Sequence, residues 1–582
     1  MRDERTTDRR LLSRRQFLLT GLSASAGLAV TWLAGCESEG PTTEGTPGAG
    51  ARPASPWESI KYARDVLTNR APRRGGTLQM FTVAPVPSVD PAKNAAIDPA
   101  IFHGLHSSYL LRLSTEPGRG LTYYQEEVVG DLATRWEVVD PTTLVFTLRG
   151  DARWNNRPPA NGRVITANDV KYSYERWAAG GLTAGRFEPL ERVEVVNDTT
   201  VRVALKRPTP EVLKIFASEF HPIVNPEYLD SRGGDMGDGG TSYVGSGPFT
   251  LAATAPNVEY RWQRNPDYYG TTVGNERAPL LEGVIFRILP DAAARLAALE
   301  AGQLDAVSLG ADVRLLESYL NRQDVYVVKS NAIAGQGVLA FNLRKDPYRD
   351  ERVRRAISMA IDRTLINAQV YRGSGAPAFP FPPEAVGRTS LPSFDELPPT
   401  YRQNLQEARR LLEAAGLGGD LNVGPIWYYY LYQAWEDKAL LIQDMLRQIG
   451  ISSELRRVDR SRLYEMLFSG NWDGLIFHHV TTPGLTNQAW AEWMHSKARN
   501  NYWGINDPSV DTVVEQLRTE LDETRRRALF QRLVDIEWTQ VYRAWIDQLI
   551  DYQLVKARVV NPQAPTYLEY KYDSMRHTWL SA

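Results

Sequence analysis

A single cysteine, Cys36, and seven histidines bound the chemistry open to this chain. One cysteine permits no disulfide within the chain and no cysteine-based metal centre. Two histidine pairs stand out, His103-Gly104-Leu105-His106 and His478-His479. Two imidazoles with no third ligand at metal spacing do not make a metal site, so no metal ligand is assigned. The sequence has no Gly-x-Ser-x-Gly elbow, no His-Glu-x-x-His and no phosphate-cradling loop of the Walker type. No catalytic residue and no cofactor are therefore expected. A secreted hydrolase stays as an alternative only because 69 Asp and Glu supply many carboxylate pairs by number alone. Binding chemistry is better supplied. The 15 Trp and 27 Tyr outnumber the 16 Phe, and rings with a polar tip suit wet binding surfaces as well as cores. The run Trp427-Tyr428-Tyr429-Tyr430 and the rings of Trp490, Trp493 and Trp503 are placed to stack on sugar faces or apolar side chains. Strand alternation sends Trp427 and Tyr429 to one side and Tyr428 and Tyr430 to the other, so one pair alone faces a cleft. Core packing accounts for each of these rings equally well.

A chain of 582 residues exceeds what one hydrophobic core holds, about 250–300 residues, so two or more lobes must carry these groups. Hydrophobic and charged fractions of 43% and 23% are those of an ordinary globular protein. The net charge is −2. Residues 1–35 hold six Arg against two Asp and one Glu, so the remainder is more acidic than the whole. No lobe-sized basic stripe is present, and nucleic-acid binding has no support.

The N-terminus reads as an address. Ser13-Arg14-Arg15-Gln16-Phe17 opens an apolar stretch diluted by Gly21, Ser23, Ser25, Gly27 and Thr31, too broken for a permanent span. The paired arginines resemble a twin-arginine export signal. Leu33-Ala34-Gly35-Cys36 resembles the bacterial lipobox, in which the cysteine is acylated and becomes the first residue of the mature protein. Acyl chains hold a protein at a membrane durably when two or more are attached. Residues 37–56 are rich in Pro, Gly, Ser, Thr and Glu and read as a tether. The expected layout is a signal peptide over 1–35, a lipidated Cys36 with a tether over 36–74, and a globular body outside the cytoplasm.

The body alternates element types. A strand follows Gly75-Gly76, and residues 136–149 read as a hairpin around Asp140-Pro141. Residues 166–177 place Val170, Tyr174 and Trp177 on one helical face. Residues 350–366 read as one helix, with Val353, Ala356, Ile357, Ala360, Ile361 and Leu365 inward and Arg352, Arg354, Arg355 and Arg363 largely outside that stripe. Beyond it come a strand over 421–430, a helix through Leu440, Leu441, Met445, Leu446 and Ile449, and strands over 453–458 and 473–477. Trp538, Tyr542 and Trp545 read as helix core. The expected fold class is α/β, with helices packed over a sheet.

Three groups of segments, in this order and spacing, resemble the family 5 extracellular solute-binding proteins of ABC transporters. They are Phe146-Thr147-Leu148-Arg149 with Ala167-Asn168-Asp169-Val170; Gly245-Ser246-Gly247-Pro248-Phe249 with Asn265-Pro266-Asp267-Tyr268-Tyr269; and Phe341-Asn342 leading to Asp350-Glu351-Arg352 and Ala360-Ile361-Asp362-Arg363. Physically, Gly245 and Gly247 permit unusual backbone angles before Pro248, and Asp350 caps a helix. The resemblance implies a two-lobed periplasmic-binding-protein-like fold of the class II type, with two crossing segments as hinge and an extra small domain in lobe one. Lobe I takes 75–115, 246–330 and 551–582, the extra subdomain 116–245, and lobe II 331–550. It implies a monomeric, lipid-anchored receptor that takes an oligopeptide-like or other small solute between its lobes and passes it to ABC permease subunits. An oligosaccharide-binding member of the same family and a surface receptor without a transport role are the alternatives. The aspartate that pairs with a peptide's α-ammonium in the family falls at Thr482 here, a departure that favours a neutral or modified ligand. Candidate contacts are Thr481, Thr482, His478, His479, Trp427, Tyr429, Trp490, Trp493 and Trp503 in the second lobe and Tyr109 in the first.

Overall fold

The chain divides into Met1–Ala54 and Ser55–Ala582. The computed structural model describes residue 60 and residues 71–93, 98–114, 127–182, 184–272, 275–310, 313–329, 335–430, 433–480, 487–498, 500–560 and 572–581, all in the second unit. The expected signal peptide and Cys36 lie outside the described residues. Ile60, within the expected tether, is buried in a small core with Phe81, Leu299 and Leu554.

Two larger cores organise the rest. One takes in Leu78 to Phe286 together with Val328, Val555 and Leu580. It is built on a four-stranded sheet in the order Thr77–Thr82, Gly283–Ile288, Glu259–Arg264, Phe249–Ala255. A second antiparallel sheet in this body runs Ala133–Asp140, Thr143–Leu148, Thr200–Leu205, Leu190–Asn197. The expected hairpin forms its first two strands, and Asp140 Oδ1 accepts from the Thr142 N–H at 2.8 Å to tighten the turn. The helix Ala167–Ala179 buries Val170, Tyr174 and Trp177, as their spacing requires. A three-stranded sheet, with Tyr552–Lys556 between Ala306–Gly310 and Val325–Lys329, completes the body.

Gly245 and Gly247 serve a different purpose from the one expected. Neither has a positive φ. A Cβ on Gly245 would meet the His106 carbonyl oxygen at 1.9 Å, and one on Gly247 the His106 carbonyl carbon at 2.6 Å. Close backbone approach, not turn geometry, demands glycine there.

The other core runs from Val338 to Leu549. Its sheet has the order Ile451–Arg457, Leu421–Tyr428, Leu475–Val480, Gln336–Phe341, Arg543–Gln548. Gln336–Phe341, Leu475–Val480 and Arg543–Gln548 are buried at every residue, as strands covered on both faces must be. The expected helix over 350–366 is two helices, Glu351–Ala360 and Arg363–Tyr371. Asp350 caps the first as expected, and Asp362 caps the second by accepting from the Leu365 N–H. The break turns Leu365 outward, to 38% exposure, and Arg363 inward. Arg354 and Arg363 are buried rather than outside the stripe, because their guanidinium groups find several carbonyl acceptors inside. Arg354 donates to the carbonyls of Tyr348, Arg349, Gln540 and Val541, and Arg363 to those of Ser358, Ile361, Tyr401 and Trp545. Trp538 is helical, but Trp545 lies in the strand Arg543–Gln548 and Tyr542 immediately precedes it.

Candidate functional site

Strand directions converge on one edge of the five-stranded sheet. Ile451–Arg457, Leu421–Tyr428, Leu475–Val480 and Arg543–Gln548 run the same way, and Gln336–Phe341 runs against them. Four carboxyl ends and one amino end therefore share an edge, the place where open α/β sheets expose ligand sites. The chain passes between the two bodies only here, from Lys329 to Gln336 and from Gln548 to Tyr552. Lys329 pairs with Tyr552 on one side of the crossing and Gln336 with Gln548 on the other. Within it, the Leu549 N–H donates to the Gly335 carbonyl at 2.9 Å and the Gln548 side chain to the same oxygen at 2.6 Å.

Behind this edge sits a buried charge pair. Lys438, on the helix Gln433–Arg447, donates from Nζ to Asp547 Oδ2 and to the Tyr371 hydroxyl, both at 2.8 Å. The Tyr371 hydroxyl donates to the same carboxylate oxygen. Rings of Trp435, Tyr371 and Phe477 surround the ammonium at 4.7–5.4 Å. Burial pushes the Lys438 pKa down, and Asp547 opposes the shift. Asp547 Oδ1 and His479 Nε2 have no hydrogen-bond partner among the described residues. Both lean over Gly337: a Cβ there would lie 2.1 Å from Oδ1 and 3.5 Å from Nε2. His479 is neutral, its pKa far below the ordinary value through burial and the Lys438 charge. Burial likewise lowers His478 to about 4.

The two bodies also touch away from the crossing. Glu211 precedes the short helix Val212–Phe216 with a left-handed φ of 56°. It accepts from Lys214 Nζ at 2.8 Å in its own body. From the other body it accepts from Arg526 Nη2 at 3.3 Å and the Gln488 N–H at 3.2 Å. Burial would raise the Glu211 pKa, but Lys214 and Arg526 outweigh it and hold the carboxyl below its usual range. Beside this contact lies a cavity of about 660 Å³, lined from one side by Arg186, Glu188 and Arg207 and from the other by Gln488, Glu492 and Arg518.

Residues 127–501, more than half of the chain, match the family described as bacterial extracellular solute-binding proteins, family 5 Middle. The chain belongs to this family. Curated relatives include the dipeptide-binding protein of Escherichia coli, 25% identical over 56% of this chain; the match spans 63% of that relative. The periplasmic murein peptide-binding protein MppA of the same organism is 25% identical over 81% of this chain and 88% of its own. In fold, the chain resembles a periplasmic binding protein, DppA, of Helicobacter pylori solved with the peptide STSA. The TM-score is 0.71 at 20% identity, covering 87% of this chain and 98% of that one. The family consists of extracytoplasmic substrate-binding proteins of transporters, which are not enzymes. No helix among the described residues is long and apolar enough to cross a membrane.

Within this family 5 fold, the sequence-derived candidates separate into groups. Thr481 and Thr482 lie outside the described residues, directly after the strand Leu475–Val480. His478 and His479 end that strand, and His479 packs on Trp435. Tyr429 joins the same group through Trp435 and Tyr464. Tyr428 and Tyr429 are both buried because the strand ends at Tyr428, where alternation stops. Trp427 is half-buried, donates to the Asp473 carbonyl and lies under Arg456. Trp490 and Trp503 are core rings flanking Arg543, which pairs with Glu537. Trp493 packs on Trp490 and Tyr502. Tyr109 belongs to the other body, where its N–H donates to Asp131 and its hydroxyl to the Glu219 carbonyl. His103 and His106 bond to the carbonyls of Val89 and Tyr243, and burial lowers them to about 4 and about 3.

Sequence reasoning missed Lys438, Asp547, Tyr371 and Glu211. Lys438 left a trace. It sits inside the buried stripe Ala434, Trp435, Lys438, Ala439, Ile442, Met445 and Leu446, where a lysine needs a buried partner.

Proposed function

We propose that the protein is the lipid-anchored receptor of an ABC importer, capturing a peptide-like solute at the carboxyl edge of the five-stranded sheet and delivering it to membrane permease subunits. The observation that carries this reading is the double crossing. The chain leaves one core after Lys329 and returns to it at Tyr552, and four carboxyl ends of the five-stranded sheet lie on the edge where it crosses. Such a joint lets one body swing against the other, and a solute touching both shifts the equilibrium toward the closed form. Glu211 holds the closed form by reaching Arg526 and Gln488 across the gap. Thr481, Thr482 and His479 lie at or just beyond the end of the strand Leu475–Val480 and are proposed as solute contacts on that edge. The curated relatives named for peptides support a peptide cargo. The lipobox-like Leu33-Ala34-Gly35-Cys36 supports an acyl anchor on the outer face of the cell membrane.

Native mass spectrometry of the protein as purified, followed by release of its ligand, tests the cargo. A mixture of peptides is expected; a single sugar species overturns it. Thr482→Asp is expected to improve binding of free-amine peptides over N-acetylated ones. Co-purification with a permease pair, and loss of peptide uptake in a deletion strain, test delivery.

A further inference from the structure

Seven Asp and Glu residues are buried among the described residues: Asp90, Asp131, Asp169, Asp305, Glu537, Asp547 and Asp551. Five hold a cation within 2.8 Å: Asp90 with Arg176, Asp169 with Arg163, Asp305 with Arg558, Glu537 with Arg543 and Asp547 with Lys438. Asp131 has both oxygens hydrogen-bonded, by the Tyr109 N–H and the Tyr269 hydroxyl. Asp551 alone has neither arrangement. Its Oδ1 accepts from Ser308 Oγ at 2.7 Å, and its Oδ2 has no partner. The Gln553 side chain and the Gly310 N–H also hydrogen-bond the carboxyl, and Oδ2 is the atom left without a partner.

Its place in the fold gives this meaning. Asp551 closes the second crossing segment, one residue before the strand Tyr552–Lys556. Alternation puts Asp551, Gln553 and Val555 on one face of the three-stranded sheet, opposite Tyr552 and Leu554, which fill the small core. Along that face the pairs change from Val555 with Ala306 to Gln553 with Ser308, and Asp551 follows, bonded to the same Ser308. An apolar face thus turns polar as it reaches the crossing.

We propose that Asp551 is a cargo contact, its Oδ2 receiving a cationic donor of the captured solute, a primary ammonium or a guanidinium. This rests on the solute-binding reading and narrows it to cargo that carries a positive charge. Burial drives the Asp551 carboxyl up to about 6, against the opposing pull of Ser308, Gln553, the Gly310 N–H and Arg295. Arg295 acts on the carboxyl by charge, while it donates hydrogen bonds to the carbonyls of Leu289 and Pro290 over the ring of Phe81. A buried carboxylate without a cation costs free energy that an arriving cation recovers.

The test measures binding of three C-terminally amidated peptides by calorimetry at pH 7.5: Ala-Ala-Ala-amide, N-acetyl-Ala-Ala-Ala-amide and N-acetyl-Ala-Lys-Ala-amide. Wild-type protein is expected to prefer a cationic peptide at least tenfold over the uncharged one. The two cationic peptides tell an α-ammonium from a side-chain ammonium. Asp551→Asn, which still accepts from Ser308, is expected to erase the preference without loss of folding, whereas Ser308→Ala retains it. For wild type the preference is expected to fade as pH drops through about 6, and for Asp551→Asn to be flat. An unchanged preference in Asp551→Asn overturns the inference. So does a pH dependence shared equally by the uncharged peptide, which marks protonation acting on the crossing rather than on cargo. Wild-type protein that binds charged and uncharged peptides equally overturns this inference alone. Protein that binds none of the three overturns the peptide-receptor reading and the inference with it.

Discussion

Removing the Glu211 carboxylate is expected to open the protein without unfolding it. Both hydrogen bonds that Glu211 accepts across the gap are to a charged acceptor but long, 3.2 and 3.3 Å. Their length puts them below the charge-assisted range, at about 1 kcal/mol each, so together they favour the closed form by about 2 kcal/mol. That is roughly a 30-fold change in the closed-to-open ratio. Glu211 and Arg526 side chains are 13% and 6% exposed, so solvent screening takes little from the figure. Arg526 is not abandoned in the variant, since it also donates to the carbonyls of Leu517 and Glu520. Glu211→Ala should therefore raise the solute dissociation rate by roughly 30-fold, the full loss, and Glu211→Gln by less. A larger radius of gyration in small-angle scattering of the unliganded protein should accompany it. Thermal midpoints should stay close to wild type, because each body keeps its own core. The held-down Glu211 pKa sets the pH range: the contribution is whole above the ordinary carboxylate pKa and is lost as pH falls through the lower folded value. The contact thus works throughout the neutral range. Glu454→Gln, whose partner Arg456 is in the same body, serves as control. Unchanged dissociation and scattering in Glu211→Ala would refute the latch.

Lys438→Met strands Asp547 in the core and is expected to cost about 3–5 kcal/mol in denaturant unfolding; adding Asp547→Leu should recover most of it. Gly337→Ala drives a methyl into Asp547 Oδ1 and should lower both stability and solute affinity, by about 1–3 kcal/mol in unfolding experiments. Asp551 binds its proton more tightly when folded, so its contribution is present at low pH and lost as pH rises from the ordinary carboxylate value to about 6. Asp551→Asn should accordingly make the unliganded protein more stable than wild type at pH 7, by about 3 kcal/mol, and indistinguishable near pH 4. Cys36→Ser should move the protein from the membrane fraction to the soluble one, and intact-mass measurement should show the acyl groups gone.

Local pattern carried the fold well where a face was cleanly apolar. The stripe Val170, Tyr174, Trp177 and the turn at Asp140-Pro141 need only neighbours in sequence, and both form as read. Reading failed where a charge goes inside. Arg354 and Arg363 look like solvent-facing residues until one sees that carbonyls from Tyr348 to Trp545 converge on them. Lys438 and Asp547 are 109 residues apart, and no local rule pairs them. Glycine misled in kind rather than in place: Gly245 and Gly247 matter, but through the backbone of His106, a neighbour 139 residues or more away in sequence. The site suffered most, because aromatics were weighed by type. Trp490 and Trp503 flank an internal guanidinium, and that use of a ring leaves the same mark in sequence as a sugar-binding platform.

Where the buried charges sit bears on how such a receptor can respond to cargo at all. Lys438, Asp547 and Tyr371 belong wholly to one body, so swinging that body leaves their pairing intact. Glu537 with Arg543 is likewise internal. Between the bodies stand a few polar contacts, Glu211 with Arg526 and Gln488, Glu317 with Arg372 and Asp437 with Arg314, which water can replace at both ends. A solute shifts a two-state equilibrium only by its difference in affinity for the two forms, so the forms must lie within a few kcal/mol of each other. Strong permanent charge pairs inside each body, a few replaceable polar contacts between them, and a carboxylate with one unpartnered oxygen at the crossing meet that requirement together. The free energy that decides closure is then small enough for cargo to supply.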